Sequence, residues 1–235
     1  MYSNSFSVVI PIYNESLNII NLIEEILINL SRFKKFEVII VDDHSSDKSL
    51  DKINQKFNNN HLIKTFRNKK NIGQSFSIIK GCELSKYQTI VTLDGDGQND
   101  PKDIPKLLKI YFERNDLFLV SGIRTSRKDN YIKKITSRLA NFIRAIILDD
   151  NCIDTGCALK VFNKETFLMF PKFDGLHRFI PAFFKFHNKK MAFISVAHRK
   201  RKFGKSNYDT FKRAIKGLKD TIRVYNITKN KNEFR

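Results

Sequence analysis

The amino-acid sequence predicts an α/β fold: a doubly wound, mostly parallel sheet in a single domain, with a basic amphipathic helix at its C-terminal end. Three observations carry this expectation. Short β-branched runs alternate with longer segments of helical period through the first half of the chain. Polar stretches rich in Asp and Gly follow those apolar runs directly, which is where sheets of this kind place their ligands. A length of 235 residues, 41% hydrophobic and 29% charged, suits one large globular domain.

Taken in order, residues 6–12 read as a buried strand, and residues 17–30 as a helix with Leu17, Ile20, Ile23 and Leu27 on one stripe. Residues 36–41 form the next strand, and residues 47–57 a helix for which Asp47 is a plausible N-cap. A weak strand over 61–66, a helix over 75–85 and a strand over 89–93 follow. Pro101 suits the first turn of another helix, and residues 117–122 close the alternation as a strand. The pattern then changes to a long helix over 131–148, a turn into a strand over 154–162, a helix over 176–187 and a strand over 191–197. A basic loop spans 198–207 and a basic helix 208–225. The expected division is a domain over 1–207 and a helical tail over 208–235.

The formal net charge is +19, and the segment from Arg199 to Arg235 holds 13 Lys and Arg against 3 Asp and Glu. Such a field attracts nucleic acid, nucleotide phosphates or anionic lipid headgroups. No helix-turn-helix, zinc-finger or RNP-type signature accompanies it, which argues against a nucleic-acid partner. Cys82, Cys152 and Cys157 have no metal-ligand spacing and read as ordinary buried thiols of a reducing compartment. No signal peptide is evident, and no apolar run approaches the roughly 20 residues that span a bilayer. Any membrane role is therefore expected to be peripheral. In the tail, Phe211, Ile215, Leu218 and Ile222 form an apolar stripe among Lys212, Arg213, Lys216, Lys219 and Arg223. That helix suits either a membrane interface or a core-packed surface position.

The strongest local signal is Leu93-Asp94-Gly95-Asp96-Gly97-Gln98. Two carboxylates two residues apart in a glycine-loosened loop can converge on a hard cation, Mg²⁺ or Mn²⁺, although Asp and Gly also build plain acidic turns. Asp42-Asp43-His44-Ser45 has the same character; its acids suit ribose hydroxyls or base N–H groups.

With these motifs in sequence order, the chain resembles glycosyltransferase family 2 and its Rossmann-like GT-A fold. The segments are Pro11-Ile-Tyr-Asn-Glu15, Val41-Asp-Asp-His-Ser45, Asn71-Ile-Gly73, Asp94-Gly-Asp-Gly-Gln98 and Gly122-Ile-Arg124. Asp154-Thr-Gly-Cys-Ala-Leu-Lys160, His177-Arg-Phe179 and Arg201-Lys-Phe-Gly-Lys-Ser-Asn207 are similar to the dolichol-phosphate mannosyltransferase branch and its bacterial polyprenyl-phosphate relatives. The resemblance implies an inverting transfer of a hexose from a nucleotide-sugar to a polyprenyl or dolichyl phosphate. GDP-mannose is the default donor, with UDP-glucose or another UDP-sugar open. It implies that Pro11, Tyr13 and Glu15 line a nucleotide pocket with Asp42 or Asp43, and that Asp94, Asp96 and Gln98 hold the metal and the donor diphosphate. Arg124 and Arg138 would meet the acceptor phosphate, Arg201 and Lys205 would close over the phosphates, and Asp154 would sit near the reaction centre. His177 suits a ligand contact and a structural role equally. Many relatives continue into transmembrane helices, so the resemblance further implies recruitment to the cytoplasmic face of a membrane by adsorption or through a separate anchoring protein. A family 2 enzyme with a non-prenyl acceptor and an inactive scaffold of the same fold are the competing expectations.

Overall fold

The computed structural model describes residues 4–125, 144, 147–201, 203 and 210–229, with side chains from residue 217 onward in the last segment. Its centre is a seven-stranded sheet of order β3-β2-β1-β4-β6-β5-β7. The strands are β1 (Phe6–Ile12), β2 (Phe36–Asp42), β3 (Ile63–Arg67), β4 (Thr89–Thr92), β5 (Leu117–Arg124), β6 (Lys160–Asn163) and β7 (Lys190–Val196). β1 pairs in parallel with β2 and β4, β2 with β3, and β5 with β7. β6 is antiparallel to both of its neighbours, β4 and β5. The expected doubly wound, mostly parallel sheet is therefore present.

The β-branched runs are continuous because both faces of the sheet are covered. Alternate side chains of one strand enter different cores: Val8 and Ile10 face one cluster, and Val9 the other. The first cluster lies under α1 (Ile19–Leu30), α2 (Ser49–Phe57) and α4 (Ile104–Glu113). The second lies under α3 (Gln74–Leu84), α5 (Lys164–Leu168), α6 (Ile180–Phe186) and α7 (Thr210–Lys229). The abundant Phe finds its use in this second core. Phe162, Phe167, Phe170, Phe183 and Phe184 form a chain of ring contacts with centroids 4.9–6.2 Å apart.

Several expectations shift by specific causes. Helix α1 starts at Ile19, so its buried face is Ile19, Leu22, Ile23, Ile26 and Leu30, and Leu17 lies ahead of it, 59% exposed. The helix expected over 176–187 is two pieces, a 3-10 turn at Leu176–Arg178 and α6. Phe179 leaves helical geometry between them, and Pro181 restarts the helix in its first turn. Pro101 opens a 3-10 turn, Pro101–Asp103, rather than α4 itself. The helix expected over 131–148 lies almost wholly outside the described residues, with Arg144, Ile147 and Leu148 helical.

Helix α7 docks by a face other than the expected stripe. Val224 is fully buried in the second core, and Asp220 pairs with Arg178 at 2.7 Å. Leu218 and Ile222, the described half of that stripe, are 53% and 51% exposed. The side chains of Phe211, Lys212, Arg213, Ile215 and Lys216 lie outside the described set. No helix of the described residues is long and apolar enough to cross a membrane.

Candidate active site

The strand order reverses at β1, whose neighbours β2 and β4 are reached by crossovers on opposite sides of the sheet. A crevice therefore opens beyond the carboxyl ends of β1 and β4. The loops leaving β1, β2 and β4 meet there.

The first two are stitched together by Asn14. Its backbone is left-handed, with φ of 57°, a conformation that Asn tolerates better than most residues. Its side-chain oxygen accepts from the backbone N–H groups of Ser46 at 2.8 Å and Asp47 at 3.2 Å. Asp47 in turn accepts from the N–H groups of Ser16 and Ser49, both at 2.9 Å, so it ties the β1 loop to the approach of α2; the helix itself begins at Ser49 with Lys48 at its N-cap position, not with Asp47 as expected. Asp42 is fully buried and accepts from the Ser45 hydroxyl and backbone, with Arg67 3.5 Å away. Asp43 accepts from Ile72 and Gly73 N–H at 2.9 and 2.8 Å and from the Asn68 amide. Both acids thus fix the pocket wall. Pro11 is buried in β1, and Tyr13 stands at the rim, 41% exposed.

Asp94 and Asp96 follow β4 directly, as the spacing implied. Gly95 between them lies against β1, where a Cβ would come within 2.6 Å of Ile12 Cγ2. Gln74 donates to Asp94 at 2.6 Å, and the Gln98 N–H donates to Asp96 at 3.0 Å. The Gln98 side chain turns toward the basic segment, its Nε2 3.4 Å from the Arg199 carbonyl and 3.5 Å from His198 Nε2.

That segment lies across the crevice. Arg199 pairs with Glu25 and Asp100, each at 2.5 Å. Arg201 reaches Glu15 at 2.5 Å and Asp96 at 3.7 Å. A guanidinium thus neutralises the acids from two strand ends. Burial raises the Glu15 carboxyl above its ordinary range despite hydrogen bonding from Asn18 and attraction to Arg201, and Asp96 adds to the rise. Lys205 and Arg138 lie outside the described residues.

At the end of β5, Arg124 and Asp154 form a bidentate pair, with Nε and Nη2 at 2.8 and 2.7 Å, and the Arg124 N–H donates to the same carboxylate at 3.0 Å. Both oxygens of Asp154 are held by one arginine, which suits an orienting role better than proton abstraction. Thr155 and Gly156 then line a small cavity that Asp94 also borders. His177 lines it too, with Nδ1 2.7 Å from the Ser75 hydroxyl. The thiols of Cys82, Cys152 and Cys157 are buried, and burial pushes Cys152 up to about 11.

The donor set suits an open cation site rather than a closed one. Among the described residues no three His, Cys, Asp or Glu side chains gather so as to hold a metal ion by themselves. Asp94 and Asp96, two residues apart on one loop, could supply oxygen ligands to a Mg²⁺- or Mn²⁺-like ion whose remaining ligands are substrate oxygens. Sequence reasoning missed Asn14, Ser75, Arg199 and His198. His198 and Arg199 had a local signal as the start of the basic loop, and Asn14 as part of the Pro11–Glu15 segment; Ser75 had none.

The family model described as glycosyl transferase family 2 matches residues 7–168. Dodecaprenyl-phosphate galacturonate synthase of Rhizobium johnstonii is 31% identical over 227 residues, covering 94% of this chain and 64% of that protein. Undecaprenyl-phosphate 4-deoxy-4-formamido-L-arabinose transferase of Photorhabdus laumondii is 34% identical over 209 residues, covering 88% and 63%. The chain therefore spans just under two thirds of the length of these curated relatives. In fold it is similar to glucosyl-3-phosphoglycerate synthase of Mycobacterium tuberculosis, solved with Mn²⁺, UDP-glucose and phosphoglyceric acid. The TM-score is 0.75 at 14% identity, covering 94% of this chain and 80% of that one. Mannosyl-3-phosphoglycerate synthase of Rubrobacter xylanophilus gives a TM-score of 0.71 at 12% identity, covering 93% and 72%.

Proposed function

The chain belongs to glycosyl transferase family 2, and from that premise we propose that it transfers a sugar from a nucleotide-sugar to a polyprenyl phosphate at a membrane surface. The observation that carries this reading is the placement of Asp94 and Asp96 at the β1/β4 switch point, faced by Arg201 from the basic segment. Acids and a guanidinium on opposite sides of one crevice suit a diphosphate bound with a cation. The polyprenyl acceptor rests on the names of both relatives above, and a uridine donor on the solved structure with UDP-glucose. The expected mannose default finds no support in the relatives' names, which specify galacturonate and 4-deoxy-4-formamido-L-arabinose, and it is not carried forward. A separate anchoring protein likewise has no support and forms no part of the proposal.

The residues divide the work. Pro11, Tyr13 and Glu15 line the nucleoside side, on a wall held by Asp42 and Asp43. Asp94, Asp96 and Gln98 would hold the cation, which when bound offsets charge developing on the diphosphate. Arg201 moves from Glu15 and Asp96 to the diphosphate oxygens and stabilises the same charge, to which Lys205 would add a second cation. Arg124, held rigid by Asp154, presents Nη1 to the acceptor phosphate, with Arg138 as its partner. The phosphate oxygen forms a bond to the anomeric carbon as the bond from that carbon to the diphosphate breaks, and nucleoside diphosphate leaves. Attack opposite the leaving group inverts the anomeric centre. A phosphate monoester is already largely ionised near neutral pH, with a second pKa of about 6, so the step needs no general base.

The test incubates the protein and Mn²⁺ with a panel of labelled UDP-sugars, with and without polyprenyl phosphate. Lipid-extractable label that requires the polyprenyl phosphate is the expected result. Nucleotide release with no label in the lipid would overturn the acceptor.

A further inference from the structure

The basic segment strings Arg199, Lys200, Arg201, Lys202 and Lys205 together, and sequence alone does not sort them by task. The structure separates the two arginines. Arg201 reaches Glu15 and Asp96, the acids at two strand ends. Arg199, two residues earlier, pairs with a different set. One terminal nitrogen meets Glu25 on α1 and the other meets Asp100, each at 2.5 Å. Asp100 is itself fixed at the N-cap of the Pro101–Asp103 turn, where it accepts from the Lys102 N–H at 3.0 Å. Both arms of the Arg199 fork are therefore occupied by protein carboxylates outside the acids assigned to the donor.

The backbone at Arg199 is anchored as well. His198 forms an antiparallel bridge with Asn99. The Arg199 N–H donates to the Gln98 carbonyl at 2.8 Å, and the Gln98 amide nitrogen lies 3.4 Å from the Arg199 carbonyl. Asn99 is 3% exposed, and its side-chain oxygen lies 3.4 Å from the Asp94 backbone nitrogen. The root of the basic segment is thus built onto the loop that carries Asp94 and Asp96. Further along, side chains hold the segment: Arg201 to Glu15 and Asp96, and the Asn18 amide to the Phe203 carbonyl at 3.3 Å.

We infer that Arg199 is a positioning residue for the transfer, pinning the root of the basic segment to α1 and to the loop after β4 so that Arg201 turns toward the diphosphate about a fixed origin. The inference rests on the proposed transferase activity. It sets Arg199 apart from the cations that meet phosphate, because Arg199 acts only through Arg201. Its loss leaves Arg201 present but misplaced, and a misplacement of about 1 Å in a contact of this kind costs up to about 100-fold in rate.

The test is a double-variant cycle on turnover with Arg199→Gln, Arg201→Gln and the two combined. Arg199→Gln is expected to lower kcat by about 10-fold while the KM for the nucleotide-sugar stays within about two-fold. Added to Arg201→Gln, it should cause no further loss, since nothing remains for it to position. Arg199→Lys, which reaches one carboxylate at a time, should recover part of the rate, and it carries the same cycle if Arg199→Gln fails to fold. Losses that multiply in the double variant, as a direct phosphate contact or a general weakening of the fold gives, overturn the inference and leave the transferase reading standing. A second measurement needs no turnover. The chain has no Trp, so Phe203→Trp, at a site 47% exposed, supplies a single fluorescent reporter on the segment. Its anisotropy should fall when Arg199→Gln is added, with the far-UV circular dichroism unchanged. An unchanged anisotropy overturns the inference. If the wild type turns over no nucleotide-sugar, the transferase reading falls, and the anisotropy alone decides whether Arg199 anchors the segment.

Discussion

Replacing either partner of the Arg124–Asp154 pair should destabilise the fold and weaken acceptor use together. The pair is bidentate at 2.7 and 2.8 Å, and its side chains are only 12% and 9% exposed. Asp154→Asn leaves a nearly buried guanidinium without its counter-charge, and breaking a buried pair from one side costs about 3–5 kcal/mol. Residual exposure puts the value at the low end, about 3 kcal/mol, which lowers the melting temperature of a domain this size by about 6–12 °C. Arg124→Met should cost a similar amount. The double variant should cost no more than the worse single one, because it removes both charges; the coupling then emerges as about 3 kcal/mol or more. Urea unfolding followed by circular dichroism at constant pH and salt measures the whole cycle. Both single variants should also raise the KM for polyprenyl phosphate while leaving that for the nucleotide-sugar unchanged. Additive losses in the double variant, or an unchanged acceptor KM in either single variant, would refute the assignment of Arg124 as an acceptor contact held by Asp154.

Asp96→Asn should lower Mn²⁺-supported turnover by about 100-fold or more, since it removes one of two carboxylates facing the diphosphate site; unchanged turnover across a Mn²⁺ titration would remove that role. Arg201→Gln should lower kcat by about 100-fold. Arg201 is 23% exposed and its partner Glu15 only 11%, so its loss should cost about 1–3 kcal/mol by urea unfolding. Glu15 sets a pH dependence. Its folded carboxyl titrates above the ordinary value of 4.5, so its contribution to stability is fully present below pH 4.5 and is lost as pH rises through the raised value. Urea midpoints from pH 4 to 7 should therefore fall for the wild type relative to Glu15→Gln, and a constant difference would contradict the assignment.

The inner strands β1, β2 and β4 were legible because they are buried along their whole length and read as largely apolar runs. The paired acids were legible because Asp94 and Asp96 lie two residues apart in the chain. Long-range features were not. Strand β6 has four residues, and nothing local shows that it enters antiparallel between β4 and β5. Arg199 meets Glu25 across 174 residues of sequence, and Ser75 meets His177 across 102. Helical period alone placed Leu218 and Ile222 on a face but could not orient that face. The structure turns it outward, because Asp220, Thr221 and Val224 dock instead.

The most direct test of the central claim follows the phosphorus atoms of one reaction. Polyprenyl phosphate, the nucleotide-sugar, Mn²⁺ and the protein are mixed and observed by ³¹P NMR. The account predicts that the lipid monoester resonance is replaced by a diester resonance in step with the appearance of nucleoside diphosphate, one for one. Nucleoside diphosphate accumulating while the monoester resonance stays unchanged would contradict transfer to the lipid phosphate.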